Sequence, residues 1–193
     1  MPKIINHKEK KKQIIQYAFD SIVEKGVKGS TVRQIAKLAD MTPGQIRYYF
    51  PNHSELLNAV MSTVELKVRR RIEAIFKSEN LTTIDKAKAS LLTVLPLDKE
   101  RLADMEVWMA FRNDIHEYGQ STLDDGLDQL CNSILTLLKN DHLLKNNVNI
   151  HLNSMKLHAL IDGLALHKFL NPNGVSNDDI QIIVDEEIVR LTQ

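Results

Sequence analysis

Apolar residues recur at helical spacing along the whole chain, and no stretch alternates apolar and polar residues as a half-buried strand must. Ile14, Ile15, Ala18, Phe19, Ile22 and Val23 repeat every three or four positions, which puts them on one helix face, and Gly26 supplies a stop. Two short segments follow, opened by the same chemistry. Thr31-Val32-Arg33-Gln34 and Thr42-Pro43-Gly44-Gln45 both read as capping boxes, in which a threonine oxygen accepts from the N–H three residues on and a glutamine side chain accepts from the threonine N–H. Pro43 stands at a first helical position, where no N–H is missed. Ala39-Asp40-Met41 separates the two segments and Pro51 closes the second, so both helices are short and the pair predicts a helix-turn-helix.

Asn52 with Glu55 three residues on opens another helix, which Leu56, Leu57, Val60, Val64, Leu66 and Val68 carry to about Lys77. Further helices are expected near 82–95, 99–118, 121–140, 149–170 and 177–192, ended in turn by Pro96, Gly119 and the run Asn171-Pro172-Asn173-Gly174, with Ser176 capping the last. The pattern predicts an all-α chain of nine helices.

Composition narrows the function classes. The 193 residues, 43% hydrophobic, are enough to bury a sizeable core without a covalent staple. A single cysteine, Cys131, excludes a disulfide scaffold and a CxxC zinc site, and fits a reducing cytoplasm. The apolar run at 127–135 around it suggests a small buried side chain. No apolar stretch approaches the roughly 20 residues of a membrane span, so neither a membrane partner nor a secretory route is expected. His151 and His158 are too far apart along a helix to share a metal, and His167 points to another face. Glycine-rich phosphate loops, nucleophile elbows and HExxH patterns do not occur, so no catalytic residue, metal or cofactor is expected.

A net charge of zero conceals a polarity. Residues 1–50 hold ten Lys/Arg against four Asp/Glu, and residues 51–193 hold fifteen against twenty-one. The lysine run Lys3, Lys8, Lys10, Lys11 and Lys12 is either a solvated tail before the first helix or part of a head that binds a polyanion.

The segment from Thr31 to Leu57 carries a sharper signal: Thr31, Ile35-Ala36, Ala39, Thr42, Gly44, Ile46, Tyr49-Phe50 and Glu55-Leu56-Leu57. It resembles the N-terminal domain of the TetR family of ligand-responsive transcriptional repressors. The rest resembles the BetI-like subgroup more loosely, through Trp108-Met109-Ala110-Phe111 and Leu160-Ile161-Asp162-Gly163-Leu164. The resemblance implies a nine-helix architecture, with a DNA-binding helix-turn-helix domain over 1–51 and a ligand-binding and dimerisation domain over 52–193. The chain departs from that family twice. Asp40 stands where glycine is usual in the turn and must visit the left-handed region, and His53 stands where a phosphate-contacting lysine is usual.

In a helix-turn-helix the second helix lies in the major groove, so the exposed side chains from Thr42 to Tyr49 should face DNA while Ile46 points inward. Ala36 allows close approach of the two helices, and Phe50 should pack on Ile35, Leu38 and Phe19. Arg47 can bond bidentately to guanine and Gln45 to adenine. Gly44, beside Pro43 at the helix start, lets the backbone come near DNA, and Thr31, Arg33, Thr42, Tyr48 and Tyr49 are expected at phosphates, with a weaker contact or none from His53 at the family's lysine position. The two tyrosines could instead pack partly on the head's own core.

One such head covers one half-site, so a (pseudo)palindromic double-stranded operator calls for a homodimer. Helix 149–170 is apolar over much of its circumference, more than one buried stripe needs. With the last helix it would supply the four-helix dimer interface that the resemblance implies, through Leu160, Gly163, Leu164, Ile183 and Ile188. Met105, Trp108, Phe111 or Arg112, and Ile115 lie on one side of helix 99–118 and are either ordinary core or, as the resemblance implies, the wall of a small-molecule effector pocket between helices 52–77, 99–118 and 149–170. In the BetI-like case Trp108 could face a quaternary ammonium. The expected function is therefore a cytoplasmic, ligand-released transcriptional repressor. A ligand-independent architectural DNA-binding protein and a helical enzyme are the alternatives.

Overall fold

The computed structural model describes residues 7–118 and 126–192, with side chains for all of these but 112–118. Nine helices run in order among them: α1 (His7–Gly29), α2 (Val32–Leu38), α3 (Pro43–Tyr49), α4 (His53–Lys77), α5 (Thr83–Thr93), α6 (Lys99–Tyr118), α7 (Gly126–Asn140), α8 (Ile150–Leu170) and α9 (Asn177–Leu191). Extended pairing among the described residues is one isolated bridge, Leu144 to Thr192. The first residues of the helix expected over 121–140 lie outside the described residues.

Capping sets most of the starts. Thr42 and Gln45 form the complete reciprocal box, whereas Thr31 realises only the half in which its oxygen accepts from the Gln34 N–H. Asn52 Oδ1 accepts from the Glu55 N–H at 2.8 Å, and its amide donates to the Glu55 carboxylate at 2.8 Å. Thr82 and Ser176 cap α5 and α9, and by donating to Asp85 and Asp179 they hold those carboxyls below the usual carboxylate range. Gly26 breaks α1 with φ 67 and ψ 175, a conformation open to glycine. The described part of the lysine run is helical, and Lys3 lies outside the described residues. Lys8, Lys10, Lys11 and Lys12 belong to the first turns of α1, where lysine is a good helix former and Lys12 pairs with Glu9 at 3.5 Å.

The helices form two compact units, residues 1–67 with 103–121, and residues 68–102 with 122–193. In the first, Ile14, Ala18 and Ile22 of α1, Ile35 and Ala36 of α2 and Ile46 of α3 are joined by Leu56, Val60 and Val64 of α4 and by Val107 of α6 in one core. Packing of this unit continues from α3 into the first turns of α4. Leu38 departs from expectation: it is 38% exposed, because α2 ends there and turns that side chain away from the core. Lys67 of α4 ties this unit together, with Nζ 3.5 Å from the buried Asp104 of α6 and 4.5 Å from the Phe19 ring centroid.

In the second unit, Ala87 and Leu91 of α5, Cys131, Ile134, Leu135 and Leu138 of α7, Leu157 and Ile161 of α8, and Ile180, Val184 and Ile188 of α9 are buried. Lys88 of α5 reaches Asp185 of α9 at 3.1 Å. The end of α9 is held by Lys145, whose N–H donates to Leu191 O, and by Arg190, which donates to Asn153 Oδ1 at 3.1 Å.

Candidate nucleic-acid interface

The first unit presents one surface built for recognition. α3 has seven residues, too few to persist alone in water, so its shape depends on the Thr42–Gln45 box and on Ile46 anchored in the core. Asp40 makes the preceding turn with φ 51, the left-handed conformation expected of it, and Met41 N–H donates to Ala36 O at 2.8 Å to lock α3 against α2. Thr42, Pro43, Gly44, Gln45, Arg47 and Tyr48 are all exposed on the outward side, with Thr31 and Arg33 exposed at the start of α2.

Two of the expected positions, Gln45 and His53, read differently in three dimensions. Gln45 Oε1 accepts from the Thr42 N–H at 2.8 Å, so a bidentate grip on adenine competes with the cap that forms the helix. Arg47, on the same helix, is exposed and takes no part in that cap. His53 is half-buried, with Nε2 2.8 Å from Ser30 O. A carbonyl only accepts, so this nitrogen donates, and the ring fastens the first turn of α4 to the α1–α2 junction. That nitrogen is not available to a phosphate. Tyr48 is 71% exposed, which sets aside packing on the head's core, and it meets the half-buried Tyr49 edge to face at 5.1 Å.

The expected effector-site residues are divided. Trp108 and Phe111 pack, partly buried, against the core of the first unit beside Val107, while Met105 is half-buried. The side chains of Arg112 and Ile115 lie outside those described. Sequence reasoning passed over Glu106 between them: one carboxylate oxygen is sealed from water with no hydrogen-bond partner among the described residues, and burial pushes this carboxyl above its usual range.

Of the expected dimer residues, Leu164 and Ile188 are buried in their own protomer, and Leu160, Gly163 and Ile183 are half-buried. The same helices also expose Leu152, Met155, Leu166 and Leu170 on α8 and Ile182 and Val189 on α9. Sequence reasoning missed these because α8 is apolar on both sides, and spacing alone does not say which side turns inward.

Residues 14–60 match the bacterial regulatory proteins of the tetR family, and residues 83–193 match the C-terminal domain of BetI-type transcriptional repressors. The chain is 34% identical to the HTH-type transcriptional regulator PksA of Bacillus subtilis (strain 168), over 97% of this chain and 92% of that one. It is 27% identical to the HTH-type transcriptional regulator BetI of Proteus mirabilis (strain HI4320), over 97% and 94%. Among solved structures it is similar to a transcriptional regulator from Saccharomonospora viridis in complex with choline, with TM-score 0.81, 18% identity and coverage of 96% of this chain and 99% of that one. With a capped helix-turn-helix at its head and these matches over both segments, the chain belongs to the TetR family of transcriptional regulators, with a BetI-type C-terminal part.

Proposed function

We propose that this regulator is a repressor that holds a (pseudo)palindromic operator as a homodimer and is released by a small-molecule effector. The observation that carries the reading is a mismatch between head and body: the head offers a recognition surface for one half-site, while α8 and α9 leave Leu152, Met155, Leu166, Leu170, Ile182 and Val189 exposed. Gly163 is half-exposed on α8, and a Cβ built there would meet nothing within 4 Å of its own chain. A two-fold partner would cover that face and bring two heads onto one DNA duplex. Arg47 would read a base edge, and Thr31, Arg33, Thr42 and Tyr48 would hold phosphates.

Release would follow as a population shift, with effector binding favouring a tilt of α4 that spoils the spacing of the two heads. Moving such an equilibrium from about 1:99 to 99:1 needs a preference of about 5.5 kcal/mol. A cationic effector is the class supported here, since Glu106 leaves a sealed carboxylate oxygen unpartnered among the described residues and the Saccharomonospora viridis regulator holds choline.

Genomic fragments captured by the purified protein and then footprinted test the proposal. Protection of two related half-sites about 34 Å apart, or a multiple of one helical turn, is expected. Arg47→Ala should weaken that binding by about 1–3 kcal/mol and relax preference at one symmetric base pair. Choline added to the complex should release the fragment and shift Trp108 emission. Single-site footprints, or binding indifferent to Arg47, would overturn the half-site reading; indifference to choline would remove it as the effector.

A further inference from the structure

We infer that the first turn of α1 belongs to the DNA-binding surface and that His7 makes a phosphate contact there. The inference rests on the DNA-binding role of the head and adds a contact outside the helix-turn-helix itself. The His7 ring lies 6.0 Å from Tyr48 and 5.7 Å from Tyr49, tilted 47° and 49° to them. Tyr48 and Tyr49 meet at 89°, so three rings form one cluster at the C-terminal end of α3. One turn further along α1, Lys11 Nζ stands 5.5 Å from the ring of Phe50, the residue that follows the tyrosines. Two successive turns of α1 thus grip the end of the recognition helix. His7 and Tyr48 are both exposed, and Tyr48 directly follows Arg47 in α3.

Chemistry then selects the ligand. Tyrosine faces favour a cation beside them, and an imidazolium offers two N–H donors and a charge where the neutral ring offers one donor. The matching partner is an anion that only accepts hydrogen bonds, which on this surface is a DNA phosphate. The two elements that meet at this ring carry Arg47, Tyr48 and Tyr49 on α3 and Lys8, Glu9, Lys10, Lys11 and Lys12 in the first turns of α1, with Glu9 paired to Lys12 at 3.5 Å. The setting is basic, so it attracts phosphate whichever form the imidazole takes. The imidazolium form, with its second donor and its charge, makes the stronger phosphate contact.

Phosphate contacts do not depend on sequence, so a labelled duplex of arbitrary sequence, about 40 base pairs long, serves as probe. Anisotropy titrations over a range of salt at pH 6 and pH 8 would compare the wild type with His7→Phe, which keeps a ring without the charge, and His7→Lys, which keeps charge without the ring. At pH 6 the slope of log affinity against log salt should be shallower in His7→Phe by about one unit per bound protomer, and at pH 8 the two should coincide. His7→Lys should carry the steeper slope to pH 8. Other titrating groups, His53 included, are common to all three proteins and cancel from the comparison. Coincident wild-type and His7→Phe slopes at pH 6 would overturn the inference, as would a His7→Lys slope at pH 8 no steeper than that of His7→Phe. Absence of salt-dependent binding in the wild type would instead strike at the DNA-binding role itself.

Discussion

The recognition helix α3 and helix α8 both expose side chains that folding alone does not require, and they expose opposite kinds. α3 buries Ile46 and turns Gln45, Arg47 and Tyr48 outward; α8 buries Leu157 and Ile161 and still leaves Leu152, Met155, Leu166 and Leu170 in contact with water. Exposed polar groups cost nothing in water and exchange their hydration for phosphates and base edges when a polyanion arrives. Exposed leucines carry a standing cost of about 25 cal/mol per Å² of apolar surface that only a partner's apolar surface relieves. The kind of residue left outside is therefore what distinguishes a nucleic-acid face from a protein face here, more than the amount of exposure.

The largest expected effect would break the α8 side of that contrast. At Gly163 an added Cβ meets nothing within 4 Å among the described residues beyond its own helix turn, and leucine favours a helix over glycine by about 1 kcal/mol, so Gly163→Leu should leave the protomer folded. A partner helix crossing at that point would be pushed away. Sedimentation should then show monomers with unchanged helix content, and affinity for a two-half-site duplex should fall about 100-fold or more as bivalency is lost. A persistent dimer with undiminished affinity would place the interface elsewhere.

Next in size is a pair of substitutions that sharpens the contrast inside the head. Ile46 is the buried anchor of α3, so Ile46→Ala should cost about 2–5 kcal/mol in thermal or denaturant unfolding, with loss of DNA binding. Leu38→Ala, at a position 38% exposed, should change stability by no more than about 0.5 kcal/mol. Equal costs would mean that α2 and α3 are not divided into core and surface in this way.

Those two residues also mark how far the sequence is readable. Ile46 was legible because the capping box fixes where α3 starts, and three-residue spacing then fixes which side faces in. Leu38 follows the same spacing from Ile35, but α2 stops at it, and periodicity does not report where a neighbour ends. Asp40 was legible because the turn's geometry demands a left-handed residue. Which side of α8 turns inward was not legible, because apolar residues stand on both its buried and its exposed side. The lysines of α1 were taken for a possible tail because charge hides helix propensity. His7 gave no local signal at all, since its partners lie about forty residues later and only tertiary packing unites them.

The smallest expected effect separates two roles of the turn. Asp40 holds φ 51, where a Cβ costs about 1–2 kcal/mol, and its backbone keeps the bonds Asp40 N–H to Lys37 O at 3.4 Å and Met41 N–H to Ala36 O at 2.8 Å. Asp40→Gly removes that strain, but glycine also loses more chain entropy on folding, by about 0.5–1 kcal/mol, so the net gain should stay below about 1 kcal/mol. It also removes an exposed negative charge next to the DNA-facing surface, which by itself should tighten binding slightly. Asp40→Asn isolates that second effect, because asparagine tolerates the left-handed region about as well as aspartate and carries no charge. Melting curves should therefore place Asp40→Gly above both the wild type and Asp40→Asn, while titrations at low salt should find the two variants binding DNA alike and slightly more tightly than the wild type. If Asp40→Gly melts below the wild type, the aspartate side chain itself contributes to the turn and the strain argument fails.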